Sequence, residues 1–459
     1  MIRPPLVLIV VQNLPLPGDR RVWLECQALR DAGYRVAAIT PKGKGDPRHE
    51  LHEGVHLYKY APPRATSGFV SYVWEFVYCW LATFRLVMSV VRRHGRPDVF
   101  QACNPPDTFW LLGLLLRPLG TKFVFDQHDL CPEVYESRFG KRGAPYRALL
   151  ALERATYRSA HHVIATNESY KSVALTRGQL PTSKVTAVRT GPDTAVLRRR
   201  EPRPALLRGH DYLVHFHGVM GPQDGVDIVL ESIREFILLG RTDTFFNVMG
   251  TGDEYPRLRK LVTELDIEDF VFMPGRVSDD DLFASMSTAV VGLCPDPPSP
   301  LNDVSTMNKT MEYMAFELPV LAFELKETRI SAGDSGEYVQ PATPQAYAAA
   351  MAKLIDDPAR REEMARLGVQ RARRHEATRR VRALRDDSRG EPAGLGLDAR
   401  GLHSRRHDQR AGVADGRPLD ALATRRNAVR SAQPHGGRRP DPDPEGNPAD
   451  IRGCRMHSL

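Results

Sequence analysis

Short apolar runs bounded by turn residues alternate with amphipathic stretches along most of this chain. That alternation constrains the fold more than any other feature. Leu6–Val11 reads as a strand, Arg20–Ala32 as a helix and Tyr34–Thr40 as a strand. Val55–Tyr60, Asp98–Ala102, Lys122–Asp126 and His162–Ala165 are further strands, with helices over Pro106–Leu119 and Tyr146–Arg158. Strands separated by helices imply parallel βαβ units. The series pauses at Gly191-Pro192-Asp193 and the Arg- and Pro-rich Arg198–Pro204, a natural linker. It restarts with strands Tyr212–His217, Thr244–Met249, Phe270–Met273, Ala289–Cys294 and Val320–Phe323, and helices Gly225–Leu238 and Tyr255–Leu265. The expected fold is therefore α/β. Two doubly wound Rossmann-like domains, residues 1–192 and 210–375, are joined by a linker at 193–209. They face a cleft that receives the carboxyl ends of the strands, where such sheets bind ligands.

Asp357–Arg374 reads as a last helix. Beyond it no aromatic residue follows Tyr347 and no Lys follows Lys353. Residues 376–459 are rich in Arg, Gly, Pro, Ala and Asp; too little apolar surface is present to offset the entropy of ordering, so a disordered tail is expected. The net charge of +8 belongs to this end: residues 371–459 hold 20 Arg against 12 acidic residues, and the remaining chain carries 44 charges of each sign. The basic pI thus says nothing of an anionic partner for the folded part. With no aromatic residues interleaved among the tail arginines, no nucleic-acid partner is expected.

The six Cys show no C-x-x-C spacing, which fits a reducing compartment better than a disulfide framework or zinc site. Leu6–Val11 is too short for a signal-peptide core, so a cytoplasmic protein is expected. Residues 68–91 are long and apolar enough to cross a bilayer, but contain Glu75 and Arg85. Three readings stay open there: a helix packed within the domain, a helix lying peripherally on the inner face of the membrane, and a span.

In the second half, Gly218-Val219-Met220-Gly221 through Gly225 lies between a strand and a helix, where backbone N–H groups can meet phosphate oxygens. Met249-Gly250-Thr251-Gly252-Asp253 repeats the arrangement one βα unit later. The richest stretch is Leu301 to Val320. Ser305 or Thr306 is expected to cap a helix starting near Met307, with Asn308 and Lys309 in its first turn and Glu312 on about the same face. A cation at a helix N-terminus is unfavourable unless an anion is held there. The alternative is a solvated Lys–Glu pair.

In the first half, Asn13–Arg21 follows strand one, and Asp19, Arg20 and Arg21 can face the cleft; Arg21 can equally be a surface helix residue. Cys103-Asn104-Pro105-Pro106-Asp107 follows another strand, with Pro106 suited to a helix start. Asp126-Gln127-His128-Asp129 follows the next and places two carboxylates beside a His at a strand's carboxyl end.

At this point the chain resembles a family 4 glycosyltransferase of the GT-B fold, over about residues 6–375. The matching stretches are Pro17–Glu25, Ala102–Thr108, Phe123–Glu133, Ile164–Ser169, Val188–Asp193, Gly218–Asp227, Met249–Asp253, Pro274–Asp281 and Pro295–Val320. The resemblance implies a retaining, metal-independent hexosyltransferase with no cofactor, using a nucleotide-diphosphate sugar as co-substrate. It implies that the donor meets Gly218, Gly221, Gly250, Gly252, Arg276, Thr306, Asn308, Lys309 and Glu312. His128 and Asp129 are expected in catalysis, and Asp19, Arg20, Arg21, Asn104 and Asp107 on the acceptor side.

Glu312 matches the second Glu of the family's E-x(7)-E motif, expected at the donor ribose; the first falls at Val304. The Lys that usually follows the Gly-rich loop falls at Asp224, and a neighbouring Arg is also missing. Lys309, Arg276 and backbone N–H groups would have to compensate. Chains of this kind usually end in an aromatic-containing helix that returns to the first domain. Here Arg371–Arg382 is mostly Arg, which suits a reading frame lost near residue 376.

The acceptor expected is a lipid-linked glycan or surface polysaccharide, which places the chain in polysaccharide biosynthesis. A nucleotide-sugar epimerase of the same fold is the competing enzyme reading. A basic-tail protein binding membrane or nucleic acid is the non-enzyme one.

Overall fold

In a computed structural model, the structure describes residues 3–43, 45–63 and 69–388, with the backbone alone for 69–73 and 377–388. The tail expectation for 389–459, and Cys454 with it, lies outside the described residues. The first sheet holds β1 (Leu6–Val10), β2 (Arg35–Pro41), β3 (His49–His52), β4 (Val55–Tyr60), β5 (Val99–Cys103), β6 (Lys122–Gln127), β7 (His162–Ala165) and β8 (Val185–Ala187). Their order is β3-β4-β2-β1-β5-β6-β7-β8, parallel throughout except for the antiparallel β3–β4 pair at the edge. Helices α1 (Arg20–Asp31), α2 (Phe69–His94), α3 (Trp110–Leu116), α4 (Cys131–Phe139), α5 (Ala144–Ser159) and α6 (Glu168–Thr176) connect them. All five residues of β1 are buried, as expected for a strand covered on both faces.

The second sheet is wholly parallel. It is built from β9 (Tyr212–Val219), β10 (Thr244–Thr251), β11 (Val271–Gly275), β12 (Val291–Cys294), β13 (Val320–Phe323) and β14 (Gly336–Val339), in the order β11-β10-β9-β12-β13-β14. Its helices are α7 (Val226–Leu238), α8 (Tyr255–Glu264), α9 (Asp279–Thr288), α10 (Asn308–Ala315), α11 (Lys326–Ala332), α12 (Pro344–Asp356) and α13 (Pro358–Ser388).

In each sheet the strand order reverses once, between β1 and β5 and between β9 and β12. Loops leaving adjacent strands in opposite directions open a crevice at that point. The two crevices collect the loops after β1 and β5 on one side, and those after β9 and β12 on the other.

Two expectations change. Pro106 does not begin a helix: α3 starts at Trp110. The last helix does not stop near Arg374 but runs to Ser388, past the expected start of the tail at 376. It also returns to the linker, where Thr194 donates to Glu376 and the backbone of His375 lies against Gly191. Of the apolar 68–91 stretch, residues 69–91 lie in α2. Cys79, Thr83, Val87 and Val90 are buried in the domain, so packing occupies one face of the helix. The five described cysteines are buried, and none of them is in a disulfide among the described residues.

Candidate active site

The first-domain crevice is organised around Asp126, at the carboxyl end of β6 and fully buried. Arg21 donates from Nη2 to Asp126 Oδ1 at 3.1 Å and from Nη1 to Thr190 Oγ1 at 2.8 Å, and lies 3.4 Å from Glu25. Arg21 is therefore an interior residue, not a surface one. His128 Nε2 stands 2.9 Å from Asp126 Oδ2 and 3.2 Å from Arg21 Nε. Burial works against both charges, but Arg21 and His128 together hold the Asp126 carboxyl well below its ordinary range. Asp126 in turn outweighs burial and raises the imidazole pKa of His128. His128 Nε2 serves both neighbours: protonated it donates to Asp126, and unprotonated it accepts from Arg21 Nε.

Asn104 fixes the loop that carries His128. Its Oδ1 accepts from the backbone N–H groups of His128 (2.7 Å) and Asp129 (3.1 Å), and its Nδ2 donates to Asp107 Oδ1 (3.0 Å) and the Asp129 carbonyl (2.8 Å). Burial pushes the Asp107 and Asp129 carboxyls up to about 6 each. Asp19 does something else: its Oδ1 caps α1 by accepting from Val22 N at 3.1 Å. Cys103, Asp126 and His128 bring their ligand atoms within 4.8 Å of one another. Yet Arg21 already supplies a cation to Asp126, and burial drives the Cys103 thiol far above its usual range, so it keeps its proton.

The second-domain crevice is built from backbone. Gly218 and Gly250 are paired across β9 and β10. A Cβ on Gly250 would lie 1.9 Å from the Gly218 carbonyl oxygen, and one on Gly252 2.4 Å from that of Met220. These glycines are required first so that the two turns can touch. The Gly221 N–H, expected to be open to phosphate, is taken by Asp224 Oδ2 at 2.8 Å. Burial pushes the Asp224 carboxyl up to about 6.

Lys309 lies beneath the first turn, its Nζ 4.0 Å from where a Gly218 Cβ would stand, but it is not free. It pairs at 2.9 Å with Asp296, which follows β12 and is 1% exposed. Glu312 Oε2 is 2.7 Å from His217 Nε2, and burial of the carboxyl is outweighed by His217 and Arg20, which lower its pKa. Asn308 and Arg276 are exposed at the rim.

Neither Ser305 nor Thr306 caps α10. Met307 is the N-cap, with no side-chain bond. The two hydroxyls turn toward the other domain instead. Thr306 Oγ1 accepts from Asn167 Nδ2 (2.9 Å) and Arg189 (3.2 Å), and Ser305 Oγ lies 3.0 Å from the Tyr170 hydroxyl. Arg20 also spans the cleft, to Glu312 at 3.1 Å and Asp279 at 3.2 Å, as does Arg138, 3.5 Å from Asp253. Asp296, His217 and Arg138 were not singled out from the sequence. Asp296 was findable as the first acidic residue after a strand at the reversal point; the other two depend on tertiary placement.

Two family descriptions match this chain: a glycosyl transferase 4-like domain over residues 18–191 and glycosyl transferases group 1 over 211–357. An alpha-D-kanosaminyltransferase of Streptomyces kanamyceticus is 26% identical over 222 residues, covering 46% of this chain and 56% of that protein. A D-inositol 3-phosphate glycosyltransferase of Thermomonospora curvata is 26% identical over 297 residues, covering 58% and 66%. The chain thus spans between about half and two thirds of the length of these relatives. Among solved structures, sucrose-phosphate synthase from Thermosynechococcus elongatus superposes with a TM-score of 0.65 at 17% identity, over 83% of this chain and 98% of that one. Anabaena HepE in complex with UDP-glucose gives 0.62 at 14%, over 83% and 98%.

Proposed function

The chain belongs to the GT-B glycosyltransferases that join a 4-like domain to a group 1 domain, and from that premise we propose that it moves a sugar from a nucleotide-diphosphate sugar to an acceptor with retention at the anomeric carbon. The observation that carries the reading is the meeting of the two crevices. His128 and its buried partners face one side, the paired glycine turns, Lys309 and Glu312 form the other, and Arg20 bridges them to Glu312.

The second domain holds the nucleotide, with Glu312 toward the ribose and the diphosphate above the glycine turns. As the sugar C–O bond breaks, negative charge grows on the diphosphate, and Lys309, Arg276 and fixed N–H groups stabilise it. His128 lines the oxocarbenium-like sugar from the opposite wall, held in place by Asp126 and Asn104. The reaction in this reading needs neither a metal nor a resident cofactor.

The acceptor side supports a lipid-linked glycan, made for a surface polysaccharide at the inner face of the cell membrane. Trp74, Val77 and Leu81 lie exposed along one stripe of α2, whose last turn carries the exposed Arg92 and Arg93, and Leu111, Leu114 and Leu115 are exposed on α3. An apolar stripe flanked by Arg suits the surface of an anionic bilayer.

A thermal-shift panel of UDP-, GDP- and ADP-sugars tests the donor reading. A true donor raises the melting temperature by mass action, and folded protein that responds to none of them contradicts it. Conversion of the sugar nucleotide without any acceptor would make the chain an epimerase instead.

A further inference from the structure

We propose that Arg138, from the first domain, is a further cation for the donor diphosphate, beside Lys309 and Arg276, and reaches it across the cleft. The inference rests on the donor reading above. At the glycine turns themselves acidic side chains outnumber basic ones. Asp224, Asp253 and Asp296 stand there against Lys309, and Lys309 is already committed to Asp296. A diphosphate entering that group would meet an excess of its own sign.

Arg138 is placed to correct this. It lies in the last turn of α4, the helix that begins just after the His128–Asp129 loop. Its side chain is only 16% exposed, enclosed between the two domains. It stands 3.5 Å from Asp253 at the second glycine turn, and its charge also favours the ionised forms of Asp129 on its own side and Asp224 at the first turn. A guanidinium offers paired donors that match phosphate oxygens.

The present partner is easily exchanged. Asp253 is 43% exposed, and such a pair contributes little. Phosphate oxygens take the place of the Asp253 carboxylate, which turns to water; no covalent change is involved. The diphosphate then ties α4 to the second domain, so donor occupancy is felt directly beside His128.

Titration calorimetry on the full chain tests this, with UDP, GDP and ADP against uridine, guanosine and adenosine. For the nucleotide that the unaltered chain binds, Arg138→Ala weakens the diphosphate by at least about tenfold and leaves the matching nucleoside unchanged. Asp253→Asn tightens the diphosphate in the unaltered chain and does nothing in the Arg138→Ala background. Diphosphate affinity unchanged by Arg138→Ala, or diphosphate and nucleoside weakened equally, overturns the inference. Should Arg138→Ala not fold, Asp253→Asn alone decides, and unaltered affinity there counts against it. A folded, unaltered chain that binds none of the three nucleotides overturns the donor reading itself, and this inference with it.

Discussion

The two walls of the cleft solve the same problem in opposite ways. The first-domain wall is a closed network: Arg21, Asp126, His128 and Asn104 satisfy one another in the interior, and little in it is left to move. The second-domain wall is a backbone cradle whose polar groups are held by partners that a ligand can replace: Asp224 on Gly221, Arg20 on Glu312 and Arg138 on Asp253. One wall is built to hold its geometry when empty. The other keeps its polar groups occupied until something takes the partners' place. A cleft that must orient a reacting sugar yet admit and release a nucleotide has a use for both.

The sharpest challenge to this contrast comes from two adjacent arginines. Arg21→Ala removes one of the two cationic partners of the fully buried Asp126 and leaves only His128 to hold its charge, and should cost up to ~3–5 kcal/mol of stability in denaturant unfolding. If the loss is under about 1 kcal/mol, the first wall is not a closed network.

The second test concerns Asp224. Its carboxyl sits at about 6 in the folded chain against an ordinary 3.8. A raised value means that the protonated form favours folding. The contribution is complete below about pH 4 and lost as pH rises through 6. Asp224→Asn should therefore match the unaltered chain at pH 4 and exceed it by ~1–3 kcal/mol above pH 6, as read from melting curves across pH. Equal curves throughout would mean that the carboxyl is not confined as described.

A smaller effect concerns the outer face of the first domain. Trp74→Ser with Leu115→Ser should weaken binding to anionic vesicles by at least about tenfold without changing the melting temperature. Vesicle binding that is retained would separate the acceptor side from the membrane. Smallest of all, Arg20→Ala should shift stability by no more than about 1 kcal/mol, because the Arg20 side chain is itself exposed and Glu312 keeps His217. A larger loss would make the bridge a structural bolt and not a replaceable partner.

Most of the fold was legible because both domains repeat a strong period: buried apolar strands such as Leu6–Val10 alternate with amphipathic helices. The strands that escaped were short and at an edge. β3 has four residues of alternating exposure and β8 has three, too few for a pattern to rise above its surroundings. For the site, residue type and place in the βα units pointed to His128, Lys309 and Glu312, which the structure sets on the two crevices. Partners were not legible. That Lys309 would be neutralised by Asp296, that Thr306 would serve the other domain instead of capping α10, or that Asp19 would be spent on its own helix, depends on which loops the sheet reversals bring together.

The central claim is a division of labour between the walls, and His128→Ala measures it most directly. Release of nucleoside diphosphate from the sugar nucleotide that the full chain binds should fall by ~10²–10⁴-fold, while the affinity for that sugar nucleotide stays within about twofold. Affinity and turnover lost together, or turnover left intact, would contradict the account.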